Sequence, residues 1–234
     1  MHPEIKKYYE EGMASSHNKG AGGAALKFTR WNLEKEFSNN TMFPVTLELG
    51  SSLGGHISSV NHKFNQYILL DIEDFELDLK ALNANYSREE SQIRFLQANC
   101  EEIPLPDDSV DRVLHTCLLH HLEHPELCLS EIRRVLKSGG IYTGYLPCSH
   151  GLLYSFIQNI TVKRRQRRIL KDGNYSISAD YLYAKEHPNH YVALRNLIFE
   201  VFRNDFIKVK HFPFHFSSYN LNFFTTFSIK IKKL

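Results

Sequence analysis

Cysteine is scarce in this chain and follows no pattern. Its four residues, Cys100, Cys117, Cys128 and Cys148, include no Cys-x-x-Cys pair, which excludes the paired-thiol motifs of zinc ribbons and dithiol redox centres. They read as reduced thiols. No basic stretch followed by an apolar one opens the sequence, so no secretory leader is expected and the expected compartment is the cytoplasm. Long hydrophobic runs are missing too. Segment 140–162 carries no Lys, Arg, Asp or Glu, but Pro147, Ser149, His150, Gly151, Gln158 and Asn159 interrupt it. A strand, a loop and a helix fit it better than a membrane span. Neither sign of charge dominates: 28 Lys and Arg against 26 Asp and Glu leave a formal net charge of +2. Nothing global therefore points to nucleic acid as a partner. The sequence shows no internal repeat.

Aromatic residues are plentiful, with 16 Phe and 12 Tyr in 234 residues, enough apolar material for one α/β domain. Residues 1–43 are polar around a small-residue stretch and predict an N-terminal helical cap. From residue 44 short β-rich runs at 45–50, 67–72, 93–99, 111–118 and 140–147 alternate with helix-like segments at 54–64, 75–83 and 125–137. Strand and helix in repetition predict parallel strands covered by helices. Continuous apolar runs such as Tyr67-Ile-Leu-Leu-Asp-Ile72 suit strands buried on both faces. In 125–137 the apolar residues fall at helical spacing, with Pro125 in the first turn and Gly139–Gly140 just past the end. After residue 148 the alternation stops. Segments 151–170 and 192–202 look helical, and 206–216 and 223–232 alternate enough to be an antiparallel strand pair at one sheet edge, with Lys230, Lys232 and Lys233 blunting it.

The most informative segment is Val45-Thr-Leu-Glu-Leu-Gly-Ser-Ser-Leu-Gly-Gly-His56. A buried strand runs into a glycine-rich turn, where backbone can turn tightly and approach a ligand without a colliding Cβ. A following helix start would offer unpaired N–H groups. Asp71 ends the next strand, at a distance where an acid commonly accepts hydrogen bonds from ribose hydroxyls. Together these features predict an adenosine-type ligand at the carboxyl ends of the strands.

With Gln97-Ala-Asn-Cys-Glu-Glu-Ile-Pro-Leu-Pro-Asp-Asp-Ser-Val-Asp-Arg-Val113 added, and the Leu118-Leu-His-His-Leu-Glu-His-Pro-Glu126 to Leu136-Lys-Ser-Gly-Gly140 series after it, residues 44–147 resemble the class I S-adenosylmethionine-dependent methyltransferases of the small-molecule group. The resemblance implies a Rossmann-like, doubly wound, seven-stranded sheet with its last strand antiparallel. It divides the chain into the cap at 1–43, a cofactor-binding core at 44–148, a substrate lid at 149–205 between strands five and six, and a C-terminal strand pair at 206–234. It implies S-adenosylmethionine as cofactor. Glu48 would lie near the methionine amino end, with Gly50, Ser52 and Gly54 passing beneath the cofactor. Asp71 would hold the ribose, Ile72 would pack on the adenine, and Asn99 with the Cys100 backbone would address its edge. His115 would face the methionine part. Two positions depart from the family pattern: Ser52 replaces a glycine and Asn99 an acid. A nicotinamide dehydrogenase would share the early turn but not the later series.

Among the 13 histidines, His115, His120, His121 and His124 lie close in sequence, but no carboxylate-flanked His-x-x-x-His pattern accompanies them, so no metal is expected. His121 and His190 are the candidate general bases, since imidazole titrates near neutrality. Tyr9, Arg30, Tyr181, His187, Arg164 and Arg165 are the candidate substrate contacts. The tract Lys163-Arg-Arg-Gln-Arg-Arg168 is either a solvated helix face or a clamp for an anionic acceptor. These residues favour O-methylation of a small polar acceptor, with a phosphorylated sugar or surface-glycan precursor as the model. The apolar helix before the tract also admits peripheral contact with a membrane and a lipid-linked acceptor. A cofactor-binding partner protein without chemistry would carry the same motifs. Nucleic acid is not expected, and the oligomeric state is left open.

Overall fold

The computed structural model describes residues 4, 20–74, 77–87 and 91–233. Its seven strands are β1 (Val45–Leu49), β2 (Gln66–Asp71), β3 (Gln92–Gln97), β4 (Val110–His115), β5 (Leu136–Pro147), β6 (Phe206–Phe212) and β7 (Phe224–Lys230). They form one sheet in the order β3-β2-β1-β4-β5-β7-β6. Strands β1 to β5 run parallel, and β7 runs antiparallel to both β5 and β6. The late pair therefore does lie at one edge, with β7 inserted inside it and β6 outermost. The edge is blunted by Lys208 and Lys210, which both pair with Glu36.

The helices are α1 (Gly20–Glu34), α2 (Leu79–Tyr86), α3 (Pro125–Val135), α4 (Leu152–Ile160), α5 (Val162–Asp172), α6 (Ala179–Glu186) and α7 (Tyr191–Val201). The predicted helix at 151–170 is broken at Thr161, whose hydroxyl donates back to the Ile157 carbonyl at 2.7 Å. Such a bond competes with the helical ladder. Two residues that open helices do so with side-chain caps: Asp78 accepts from Ala81 N, and Ser178 from Tyr181 N. The predicted helix at 54–64 is absent. A single 3-10 turn at Ile57–Ser59 replaces it. Gly54, Gly55, two serines and Asn61 are poor helix formers, and the side chains of His56 and His62 are both drawn inward.

The two sheet faces differ in chemistry. Leu47, Leu49, Ile68, Leu70, Val113 and Tyr142 face α3 and α7 in a continuous apolar core. The opposite face presents Thr46, Glu48, Tyr67, Arg112 and Thr143, all buried, toward α1. Glu34, the last residue of α1, is fully buried there and receives Arg112 through two parallel bonds, Nη1 to Oε2 at 2.9 Å and Nη2 to Oε1 at 2.7 Å. Arg112 also donates to Thr143 Oγ1 and to His62 Nδ1. His62 is thereby fixed as the neutral tautomer whose Nε2–H donates to Thr46 Oγ1. His56 Nε2 donates to Glu34 Oε1 at 2.8 Å, and the Phe37 ring lies 4.3 Å from the guanidinium. Burial alone would raise the Glu34 carboxyl. The charge of Arg112 and the bonds from His56 and Arg112 outweigh it and hold the group well below the usual 4.5.

Arg112→Met strands a buried carboxylate and is expected to cost about 3–5 kcal/mol in denaturant unfolding, whereas the Glu34→Met, Arg112→Met double variant recovers most of that loss. Because the folded Glu34 is depressed, its contribution is complete above the ordinary carboxylate value and is lost as pH falls below it. Stability measured against pH should show that acid limb, and Glu34→Gln should flatten it.

Candidate cofactor and acceptor site

Strand order reverses between β1 and β4, the place where an open parallel sheet leaves a crevice at its carboxyl edge. The chain leaves β1 into that crevice through Gly50 at φ +64°, Ser52 at φ +46° and Gly54 at φ +67°. A Cβ on Gly50 would also stand 3.0 Å from Leu118 Cδ1, so that position needs glycine for both conformation and space. Ser52 keeps the left-handed conformation, which costs an L-residue about 1–2 kcal/mol. Its N–H helps hold it there, donating to Asp71 Oδ2 at 2.8 Å. Asp71 Oδ1 accepts from Glu73 N at 3.3 Å. The carboxylate ends β2 half-exposed and keeps lone pairs open toward the crevice. Beside it Ile72 is 64% exposed, an apolar surface of the kind a base can stack on. Asn99 Oδ1 accepts from Glu101 N at 3.0 Å, and Cys100 is buried beneath that loop.

Other predicted residues sit differently. Glu48 is buried under the turn, accepting from the Tyr67 hydroxyl at 2.8 Å. Burial raises its carboxyl despite His56, Tyr67 and Arg30. Arg30 lies behind the glycine turn, its Nη1 donating to Gly55 O at 2.9 Å, so it braces the cofactor turn instead of reaching the lid. The His115 side chain departs most from expectation. Residues alternate along β4, and this one falls on the apolar face. Its Nε2 meets the Tyr142 hydroxyl at 2.9 Å, and its ring packs against Phe227. Burial lowers its pKa to about 3. It is a neutral core residue turned away from the crevice.

The lid residues meet at the same carboxyl edge. A cavity of about 400 Å³ is lined by His150, Tyr154, Lys163, Tyr183, His187 and His190, among others. His190 and His150 pack edge to face at 5.6 Å. Within the basic tract it is Lys163 that reaches this cavity, paired with Asp180 at 2.7 Å. Arg164 and Arg165 lie on the exposed face of α5, opposite the buried Gln166 and Leu170. Tyr181 is half-exposed on α6, outside that lining. His121 follows β4 in a 3-10 turn, and its Nδ1 donates to Glu186 O of the lid. Tyr9 lies outside the described residues. Asn189 carried no motif, yet its Nδ2 donates to Leu122 O at 2.5 Å and its N–H to His120 O at 3.4 Å. It stitches the α6–α7 connection to the segment after β4, a contact that spacing along the chain gives no means to find.

This strand order, with its antiparallel seventh strand, is that of the class I methyltransferase fold. Residues 47–143 match the family model described as a methyltransferase domain. The chain is similar to the malonyl-[acyl-carrier protein] O-methyltransferase of Paenibacillus, at 35% identity over 131 residues, 53% of this chain and 46% of that protein. It is also similar to a sterol 24-C-methyltransferase of Gibberella zeae, at 28% identity, 54% of this chain and 33% of that protein. The chain thus spans between about a third and a half of the curated relatives it matches. The solved structure of a Burkholderia thailandensis 1,6-didemethyltoxoflavin methyltransferase with S-adenosylhomocysteine bound shares the fold. Its TM-score is 0.59 at 12% identity, over 98% of this chain and 86% of that one.

Two hydroxyls on one carboxylate contribute about 1.5–3 kcal/mol each. Asp71→Ala should therefore weaken S-adenosylhomocysteine binding by about a hundredfold or more in calorimetry. Gly50→Ala should abolish binding and lower the melting temperature, since both its φ and its contact with Leu118 oppose a side chain.

Proposed function

We propose that this protein transfers the methyl group of S-adenosylmethionine to an oxygen of a small polar acceptor seated in the His150–Tyr183–His190 cavity. The observation that carries this is the cavity itself. It opens at the same sheet edge as the glycine turn and Asp71, and it offers imidazoles, phenols and one cation, Lys163, to an acceptor. Tyr and His walls can stack on a ring and hydrogen-bond its polar groups. The acceptor oxygen attacks the methyl carbon as the carbon–sulfur bond breaks, and the sulfonium electrons return to sulfur as S-adenosylhomocysteine leaves. The hydroxyl proton passes to an imidazole. His190 lines the cavity and is the favoured base, whereas His121 sits at the lid junction outside the lining. Holding the two reactants in line can supply roughly 7–11 kcal/mol. A phosphorylated sugar or glycan precursor suits the polar walls, with Lys163 as its anion contact.

Incubating the protein with labelled cofactor and a panel of sugar phosphates and nucleotides should label one of them, and labelling of tRNA or protein alone would exclude this acceptor class. His190→Ala should lower kcat by about 10²–10⁴-fold while leaving S-adenosylhomocysteine affinity unchanged.

A second acceptor class is favoured by α4, which leaves Leu152, Phe156 and Ile160 exposed at 72%, 63% and 52%. The cationic α5 follows it directly. That pairing suits an anionic lipid surface, and the sterol methyltransferase relative acts on an apolar molecule by name. Sedimentation with anionic phospholipid vesicles should carry the protein down, neutral vesicles should not, and Phe156→Ser should weaken the effect.

A further inference from the structure

The fold brings His187 onto the adjacent pair His120 and His121, far earlier in the chain. His120 and His121 sit in the 3-10 turn after β4, and His187 follows the end of α6. Their ring centroids lie 4.0 Å (His120–His121), 5.0 Å (His120–His187) and 4.8 Å (His121–His187) apart. One nitrogen from each falls within 4.8 Å of the others. We propose that His120, His121 and His187 form a binding site for one divalent transition-metal ion of the zinc class, at the edge of the acceptor cavity.

Three features support it. The first is tautomer control. His121 Nδ1 meets the Glu186 carbonyl, and His187 Nδ1 meets the Tyr183 carbonyl at 3.1 Å. A carbonyl can only accept, so each Nδ1 carries the proton and each Nε2 holds the lone pair. Backbone carbonyls orient metal-ligating histidines in the same way. The second is His120, which is 4% exposed and whose Nδ1 is buried with no hydrogen-bond partner. An unsatisfied buried polar atom is unfavourable, and a cation in this cluster gives the ring a partner. The third is chemistry. Imidazole nitrogen suits zinc, copper and nickel, and three protein ligands with one open position is the arrangement of catalytic zinc.

Tetrahedral zinc, with bonds of about 2.0–2.1 Å, sets its ligands about 3.3 Å apart. Small rotations of the exposed His121 and half-buried His187 close the present spacing. His187 also lines the acceptor cavity, so the open position would face a bound acceptor, where a metal lowers the pKa of a coordinated hydroxyl. That role rests on the proposed methyl transfer, but binding of the ion does not.

The probe is Co²⁺, added to untagged, chelator-stripped full-length protein. Visible d–d bands should saturate at one equivalent and be displaced by Zn²⁺. Loss of an outer-shell partner alone weakens metal sites about 10–100-fold, so His187→Ala and the surface change His121→Gln should each weaken binding by about a hundredfold or more. Their metal-free melting curves should match the parent. The exposed His124→Ala, outside the cluster, should bind as the parent does. Absence of bands, or His187→Ala and His121→Gln binding cobalt as tightly as the parent, would overturn the site. Calorimetry with S-adenosylhomocysteine on the same samples separates the two ideas: cobalt binding without nucleoside binding removes the methyl-transfer proposal and leaves the metal site standing.

Discussion

The buried ion pair between Glu34 and Arg112 is the constraint on which the arrangement of this molecule turns. A carboxylate and a guanidinium removed from water are tolerated when their geometry is good and further hydrogen bonds match most of the remaining positions. Here His56, His62, Thr46 and Thr143 do most of that matching. The same bonds fasten α1 across β4 and β5 and draw the 56–62 segment inward. They account for the missing helix after the glycine turn: a regular helix would carry His56 and His62, six residues apart, toward different sides, whereas here His56 reaches Glu34 and His62 reaches Arg112. Arg30, one turn before Glu34 on α1, then meets the Gly55 carbonyl. The cap helix and the cofactor turn are one mechanical unit, and the turn owes its shape to groups outside it.

The acceptor side is assembled by different means. Helices α4, α5 and α6 pack at the carboxyl edge, the last two with a small apolar cluster of their own at Leu170, Ala179 and Leu182. They are tied to the sheet by hydrogen bonds, including those Asn189 donates to the segment after β4 and the one Tyr191 N donates to Ser149 Oγ. Glu4 reaches the same region, accepting from Ser176 and Ile177. The junction brings His120, His121 and His187 together and places Tyr183 in face-to-face contact with His187 at 4.3 Å. A polar junction between an apolar sheet and a separate lid is a natural place for chemistry, because its groups are partly desolvated yet open on one side.

Much of the core was legible along the chain. The runs ending at Leu49, Asp71 and Pro147 are local signals: a buried strand announces itself by apolar continuity, and Gly50 and Gly54 mark left-handed turns because few other residues tolerate them. Asp71 was legible for the same reason, since its position at a strand end follows from the run before it. His115 was misplaced because strand alternation fixes only which two faces exist, and which of them looks toward the crevice depends on the neighbouring strands. The role of Arg30 and the inward turn of His56 were not legible, since each depends on Glu34 and Arg112, separated by 78 positions.

By itself the sequence determined the doubly wound class, the glycine turn after β1 and the acid ending β2, because these are set by short-range spacing and by the conformational limits of single residues. Only the tertiary structure decided which strand lies outermost, which histidines are core and which cluster, and that Lys163, not Arg164 or Arg165, faces the cavity between His150, Tyr183 and His190. Those outcomes hinge on which distant side chains must satisfy one another once water is excluded, and no local pattern records that.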